Sequence, residues 1–173
     1  MSRQSTTNDV KPGDFLAVPL GDGRAYIAHV VDQTTRALYV VVFDCPVSAS
    51  PTPEEVARAR TATPLFATLT FDARVRPGMW TIVGSSPPDP DHFLPAFTYG
   101  AAETNGVWVT DFHESRQRPA TEDESKSIPR RKIRSPMVLE QAVRAHEDLA
   151  PWLPAFEELR YRPTPTSRQL FGP

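Results

Sequence analysis

The sequence predicts an α+β fold, mostly β: an antiparallel curled sheet or a small SH3-like barrel with C-terminal helices. Three observations predict it. Apolar residues alternate with a period of two in short runs, the pattern of strands that bury a face. Glycine-rich turns separate the early runs, and three-and-four apolar spacing appears only late, from Leu139 onward. The chain also holds 19 prolines, too many for helix interiors or central strands, so turns, edges and connections take a large share.

The elements follow in order. Residues 1–10 are polar and read as a flexible N-terminus. Over 13–20 the chain alternates, with Phe15, Ala17 and Pro19 on one face and Leu16, Val18 and Leu20 on the other. Gly21-Asp22-Gly23 supplies residues tolerant of positive φ and closes a hairpin. "RAYIAHVVDQ" and "ALYVVVFD" read as the next two strands, the Val40–Val42 run suggesting a strand buried on both faces. Pro53-Glu54-Glu55 opens a short helix, since proline suits the first turn and acids favour its positive end. "LFATLTFDARV" reads as a strand, Pro77-Gly78 as a turn and "MWTIVGS" as another strand, and "PPDPDHFLPAF" reads as a looped excursion. "GVWVTDFHE" restores alternation and places Asp111 and His113 on one strand face. From 115 to 134 the polar chain, with its acidic "EDE" and basic "RRKIR", reads as an exposed loop. Ser135-Pro136 starts a helix with Leu139, Ala142, Val143 and His146 on one face; Pro151 starts a shorter piece with a Trp152, Phe156 and Leu159 stripe. The expected organisation is one domain over 11–160 (β-rich 11–114, polar loop 115–134, helices 135–160) and a tail over 161–173.

Composition narrows the function. Net charge is −2 and the pI is about 6.1, lacking the cationic excess that displaces counterions from nucleic acid. The single Cys45 forms no internal disulfide, and no apolar run reaches a membrane span, so the expected compartment is the cytoplasm.

Candidate chemistry is thin. "GDGR" leads into a strand rather than a helix and lacks the Lys-Ser/Thr of a phosphate loop, so it reads as a turn. Asp111 and His113, with His29 or His92, fall short of the convergent ligand set zinc requires. Cys45 has no nucleophile signature around it and reads as a small, partly buried residue. His146 reads as a packed histidine donating to a backbone carbonyl. The residues therefore point to a binding module, with no catalytic residue, cofactor or metal.

"GDFLAVPLGDGRAYIAHVV", then "VVFD", Pro64 to Phe66, "PGMWTIVG" and "FLPAF" together resemble the immunity protein 26 family of bacterial polymorphic toxin systems. Gly13, Asp14, Phe15, Gly23, Tyr26, Phe43, Gly78, Trp80 and Gly84 are among the residues that carry the likeness, over roughly 11–100. It implies a cytoplasmic, non-catalytic immunity protein that binds and neutralises a cognate toxin domain. For a cationic toxin, the acids Asp22, Asp89, Asp91, Glu122, Asp123 and Glu124 are the natural contacts, with Arg24 beside the first. The competing reading is an SH3-like barrel module that binds peptide or nucleic acid; a third is a small enzyme using the Asp111/His113 face.

Overall fold

The computed structural model describes residues 9–173, so most of the expected flexible N-terminus lies outside the described residues. In chain order the elements are β1 (Asp14–Pro19), β2 (Arg24–Gln33), β3 (Leu38–Phe43), β4 (Val47–Ser48), α1 (Pro53–Arg60), β5 (Pro64–Thr70) and β6 (Thr81–Ser85). There follow α2 (Pro90–Phe93), β7 (Phe97–Ala101), β8 (Gly106–Thr110), β9 (Gln117–Pro119), α3 (Glu122–Ser127), β10 (Ile133–Arg134) and α4 (Pro136–His146). A 3-10 helix, Pro154–Leu159, and α5 (Ser167–Phe171) complete the chain. The fold is mixed α+β with strands predominating, as the alternation predicts. Two compact units divide the described residues: 9–88 with Arg134–Tyr161, and Asp89–Ile133 with Arg162–Pro173.

The first unit is an antiparallel sheet in the order β5-β3-β2-β1-β6, with β4 also on β2. The sheet is open and does not close into a barrel, which decides between the two architectures the sequence allows. Alternation sorts its side chains as expected. Leu16, Val18, Tyr26, Ala28, Val30, Val40 and Val42 join one cluster; Phe15, Ala17, Ala25 and Ile27 join another. Leu139, Ala142 and Val143 of α4 and Phe156 and Leu159 of the 3-10 helix pack on the first cluster. Val56 and Ala59 of α1 pack on the second. Each of the six β3 residues is buried.

Local chemistry explains the helices. Thr52 and Glu55 form a reciprocal capping box at the start of α1, with Pro53 in its first turn. Ser135 caps α4, and Pro136 again occupies the first turn. Trp80 is wholly buried, and its indole N–H donates to Glu140 Oε2 at 3.0 Å, which satisfies the one polar atom that burial would otherwise orphan.

The second unit carries the antiparallel sheet β7-β8-β9. Its aliphatic core is small: Ala96, Val109 and Ile128, with Ala120, Leu170 and Phe171 packed against it. Arginines supply further cohesion. The Arg131 guanidinium lies 4.4 Å from the Phe97 ring centre and 5.5 Å from that of Phe112. Arg116 and Arg118 approach the Phe171 ring at 5.6 and 5.7 Å.

Several expectations are corrected here. The 115–134 segment is not wholly a loop: it holds β9 and α3, because Thr121 and Glu124 make a capping box inside the acidic run. The 161–173 tail holds α5, capped in the same way by Thr166 and Gln169. "FTYGA" is a strand, and the "FDARV" run leaves the sheet after Thr70. The strand through "GVWVT" ends at Thr110, so Asp111 and His113 sit in a turn and share no strand face. The second helical piece begins at Pro154 rather than Pro151.

Candidate functional site

In the first unit the polar side chains gather where the β1–β2 hairpin meets the end of α4. Gly21 and Gly23 adopt φ of +87° and +88°, so "GDGR" is the hairpin turn. Arg24 reaches both ways: Nη2 to Asp22 Oδ2 at 2.7 Å and Nη1 to Glu147 Oε2 at 3.0 Å. The Tyr26 hydroxyl donates to the other Glu147 oxygen. That bond and Arg24 hold the Glu147 carboxyl below its ordinary range, although partial burial opposes them. Burial first, and the neighbouring carboxylate second, push the Tyr26 phenol up. One turn earlier, Arg144 donates to the Leu20 carbonyl, and a Cβ on Gly21 would stand 2.8 Å from its Nη1. The hairpin turn and the helix end are thus clamped together.

His146 extends this cluster. Its Nε2 lies 2.9 Å from Asp44 Oδ1, and its ring meets Tyr26 and Phe66 edge-on at 6.1 and 6.3 Å. The partner is therefore a carboxylate, where the sequence suggests a backbone carbonyl. Beyond Phe66 lies Trp152, stacked at 6.3 Å, with Phe156 at 5.4 Å and the Arg160 guanidinium at 4.4 Å. Asp22 and Arg24 signal part of this cluster in the sequence. Asp44 and Glu147 carry no such signal, and Tyr26 only the family likeness, because their pairing joins the early strands to a helix end more than a hundred residues later.

His29 is buried elsewhere in this unit. Its ring stacks on Phe15 at 4.2 Å, and Nε2 lies 3.2 Å from the Gly13 carbonyl and 3.1 Å from that of Ser86. Burial lowers its pKa, and an Nε2–H donated to a carbonyl suits the neutral ring.

In the second unit the candidate acids are drawn into local structure. Asp89 caps α2, accepting from His92 N at 3.1 Å. Asp91 pairs with Arg168 at 2.7 Å, and Glu124 with Arg118 at 2.8 Å. Glu122 pairs with Lys126 across one helical turn at 2.7 Å, and Asp123 is exposed beside it. Helix α3 brings Glu122, Asp123 and Glu124 together, and α2 brings Asp89 near Asp91. The basic "RRKIR" run is likewise structural: Arg130 donates to the Gly100 carbonyl, Arg131 to that of Phe112, and Arg134 pairs with Glu158.

A cleft of about 300 Å³ opens in this unit between Leu94, Asp111, Phe112, His113, Arg116 and Arg168. Asp111 anchors a turn, accepting from Ser115 N at 2.8 Å, Ser115 Oγ at 2.6 Å and Arg116 N at 3.2 Å. Burial opposes ionisation, but these bonds keep its carboxyl below the ordinary range. Among the described residues no group of three or more His, Cys, Asp or Glu converges to hold a metal, and no helix is long and apolar enough to cross a membrane.

Residues 11–108 match immunity protein 26. The chain belongs to the immunity protein 26 family. No curated protein and no solved structure matches it. The family match takes in β1 to β6 and all but the last residues of β8; α3, α4, the 3-10 helix and α5 lie beyond it. Membership makes this an immunity protein of toxin systems. Asp22, Arg24, Asp89 and Asp91 fall inside the matched stretch, while Glu122, Asp123, Glu124, His146 and Glu147 fall outside it.

Proposed function

We propose that this immunity protein binds a cognate bacterial toxin domain and neutralises it by protein–protein contact, without catalysis, in the cytoplasm of the producing cell. The family match over residues 11–108 carries this reading. Two of the groups with chemical potential have structural partners: Asp111 anchors a turn through Ser115, and His146 Nε2 lies in hydrogen-bond contact with Asp44.

Exposed carboxylates steer a cationic toxin surface towards the protein. Among the acids proposed from the sequence, Asp123 on α3 is the most available, and Glu122 beside it shares an exposed pair with Lys126. Asp22, Asp91 and Glu124 meet a partner with an arginine already beside them, and Asp89 also serves as a helix cap. Co-expression in bacteria tests the function. The toxin domain encoded beside this chain's gene arrests growth alone, and growth returns when this chain is supplied. Continued arrest, with no complex between the purified proteins, overturns the reading.

A further inference from the structure

From the exposed apolar segment that follows α4, we infer that residues 149–153 form the centre of the surface on which a cationic protein partner docks, with the carboxylates around them as its rim. The inference rests on the toxin-binding reading and assigns it a place in the first unit. Leu149 is 38% exposed and Leu153 is 49% exposed, and Trp152 stands half-buried between them. Three large apolar side chains thus fall within five residues, none wholly covered, and exposed apolar surface rimmed by polar groups marks sites of interaction.

The segment is already ordered. Leu149 N donates to the Arg144 carbonyl at 2.9 Å, and Asp148 turns the helix end with φ of +57°. Pro151 and Pro154 restrict the backbone on either side of the Trp152-Leu153 pair. Trp152 is fixed between Phe66, Phe156 and Arg160. A rigid aromatic anchor flanked by pinned aliphatics loses little conformational freedom on association, which favours affinity.

Charge selects the occupant. Glu147 and Asp148 precede the segment, and Glu157 and Glu158 follow it. Asp44 stands beside His146, whose ring abuts Phe66 next to Trp152. These five carboxylates outnumber the four guanidiniums of the cluster: Arg24, Arg134 and Arg160, which pair among them, and Arg144, which is held on the Leu20 carbonyl. A second copy of this chain would set one acidic rim against another, and a nucleic acid would bring phosphates to it; a basic protein surface meets both the rim and the apolar centre.

The test uses the full chain and a catalytically inactivated form of the toxin domain encoded beside its gene, titrated by calorimetry. Leu149→Lys and Leu153→Lys each weaken binding by roughly 30-fold or more, the loss typical of an interface hot spot. Met137→Lys is the control, at a residue 52% exposed near the start of α4, and it leaves affinity unchanged. Leu153→Ala repeats the measurement without the added charge, and thermal melting verifies that each variant is folded. If the toxin binds and neither patch position matters, the inference fails while the toxin-binding reading stands. A wild-type dimer that Leu153→Lys dissociates assigns the patch to a second copy and also overturns the inference. Absence of wild-type binding overturns both.

Discussion

The two units of the chain reach order by different chemistry. In the first, strands with alternating side chains bury a large apolar cluster beneath α4 and the 3-10 helix. In the second, three short strands cover a small core, and guanidiniums laid on Phe97, Phe112 and Phe171 supply much of the remaining cohesion. Apolar burial scales with area and tolerates modest changes of shape. An arginine–aromatic contact depends on one planar group in one place. The family match follows this division in part, covering β1 to β6 and ending within the second unit's sheet.

The largest effect expected from breaking this contrast is in the first unit. Phe66→Ala removes a wholly buried ring and costs about 3–5 kcal/mol, measured by urea unfolding. Arg131→Ala in the second unit costs less, about 2 kcal/mol, read as faster amide exchange over 97–110. Arg131→Lys recovers only part of it, because the ammonium lacks the planar fork. Should Arg131→Ala cost as much as Phe66→Ala, the contrast between the units collapses. Thr121→Ala removes the α3 cap and costs about 1 kcal/mol, and circular dichroism follows the lost helix.

Acid titration gives a further contrast. Burial depresses the pKa of His29, so the unfolded histidine takes up its proton near pH 6.5 while the folded one resists until lower pH. Its stabilisation is complete above that value and is lost as the pH falls. Between pH 7.5 and 5.5 the melting temperature of the wild type drops more than that of His29→Gln; parallel curves refute this. The smallest effect is at the surface: Glu122→Gln removes an exposed ion pair and changes stability by at most about 0.5 kcal/mol.

These differences explain what was legible in the sequence. Period-two alternation in β1 to β3 reports a sheet buried on a face, and the burial of Leu16, Val18 and Val30 agrees with it. The 3-4 spacing of α4 is equally direct. Much of the second unit was obscured because its order comes from short capped helices and arginine–aromatic contacts, which leave no periodic trace. "TEDE" reads as charge until Thr121 and Glu124 are seen as a capping box. The likeness of 11–100 to the family was legible as spaced glycines and aromatics, and the match runs from 11 to 108. The cluster at the end of α4 was only half legible, because Arg24 meets Glu147 across 123 residues.

That separation has a consequence for synthesis. The hairpin of β1 and β2 leaves the ribosome well ahead of Arg144, which grips its turn at Leu20 from 124 residues behind. At about 5–20 residues per second the nascent turn waits roughly 6–25 s for the side chain that secures it. The hairpin is thus locked long after it is made, and a chain interrupted before α4 releases it with its turn unclasped.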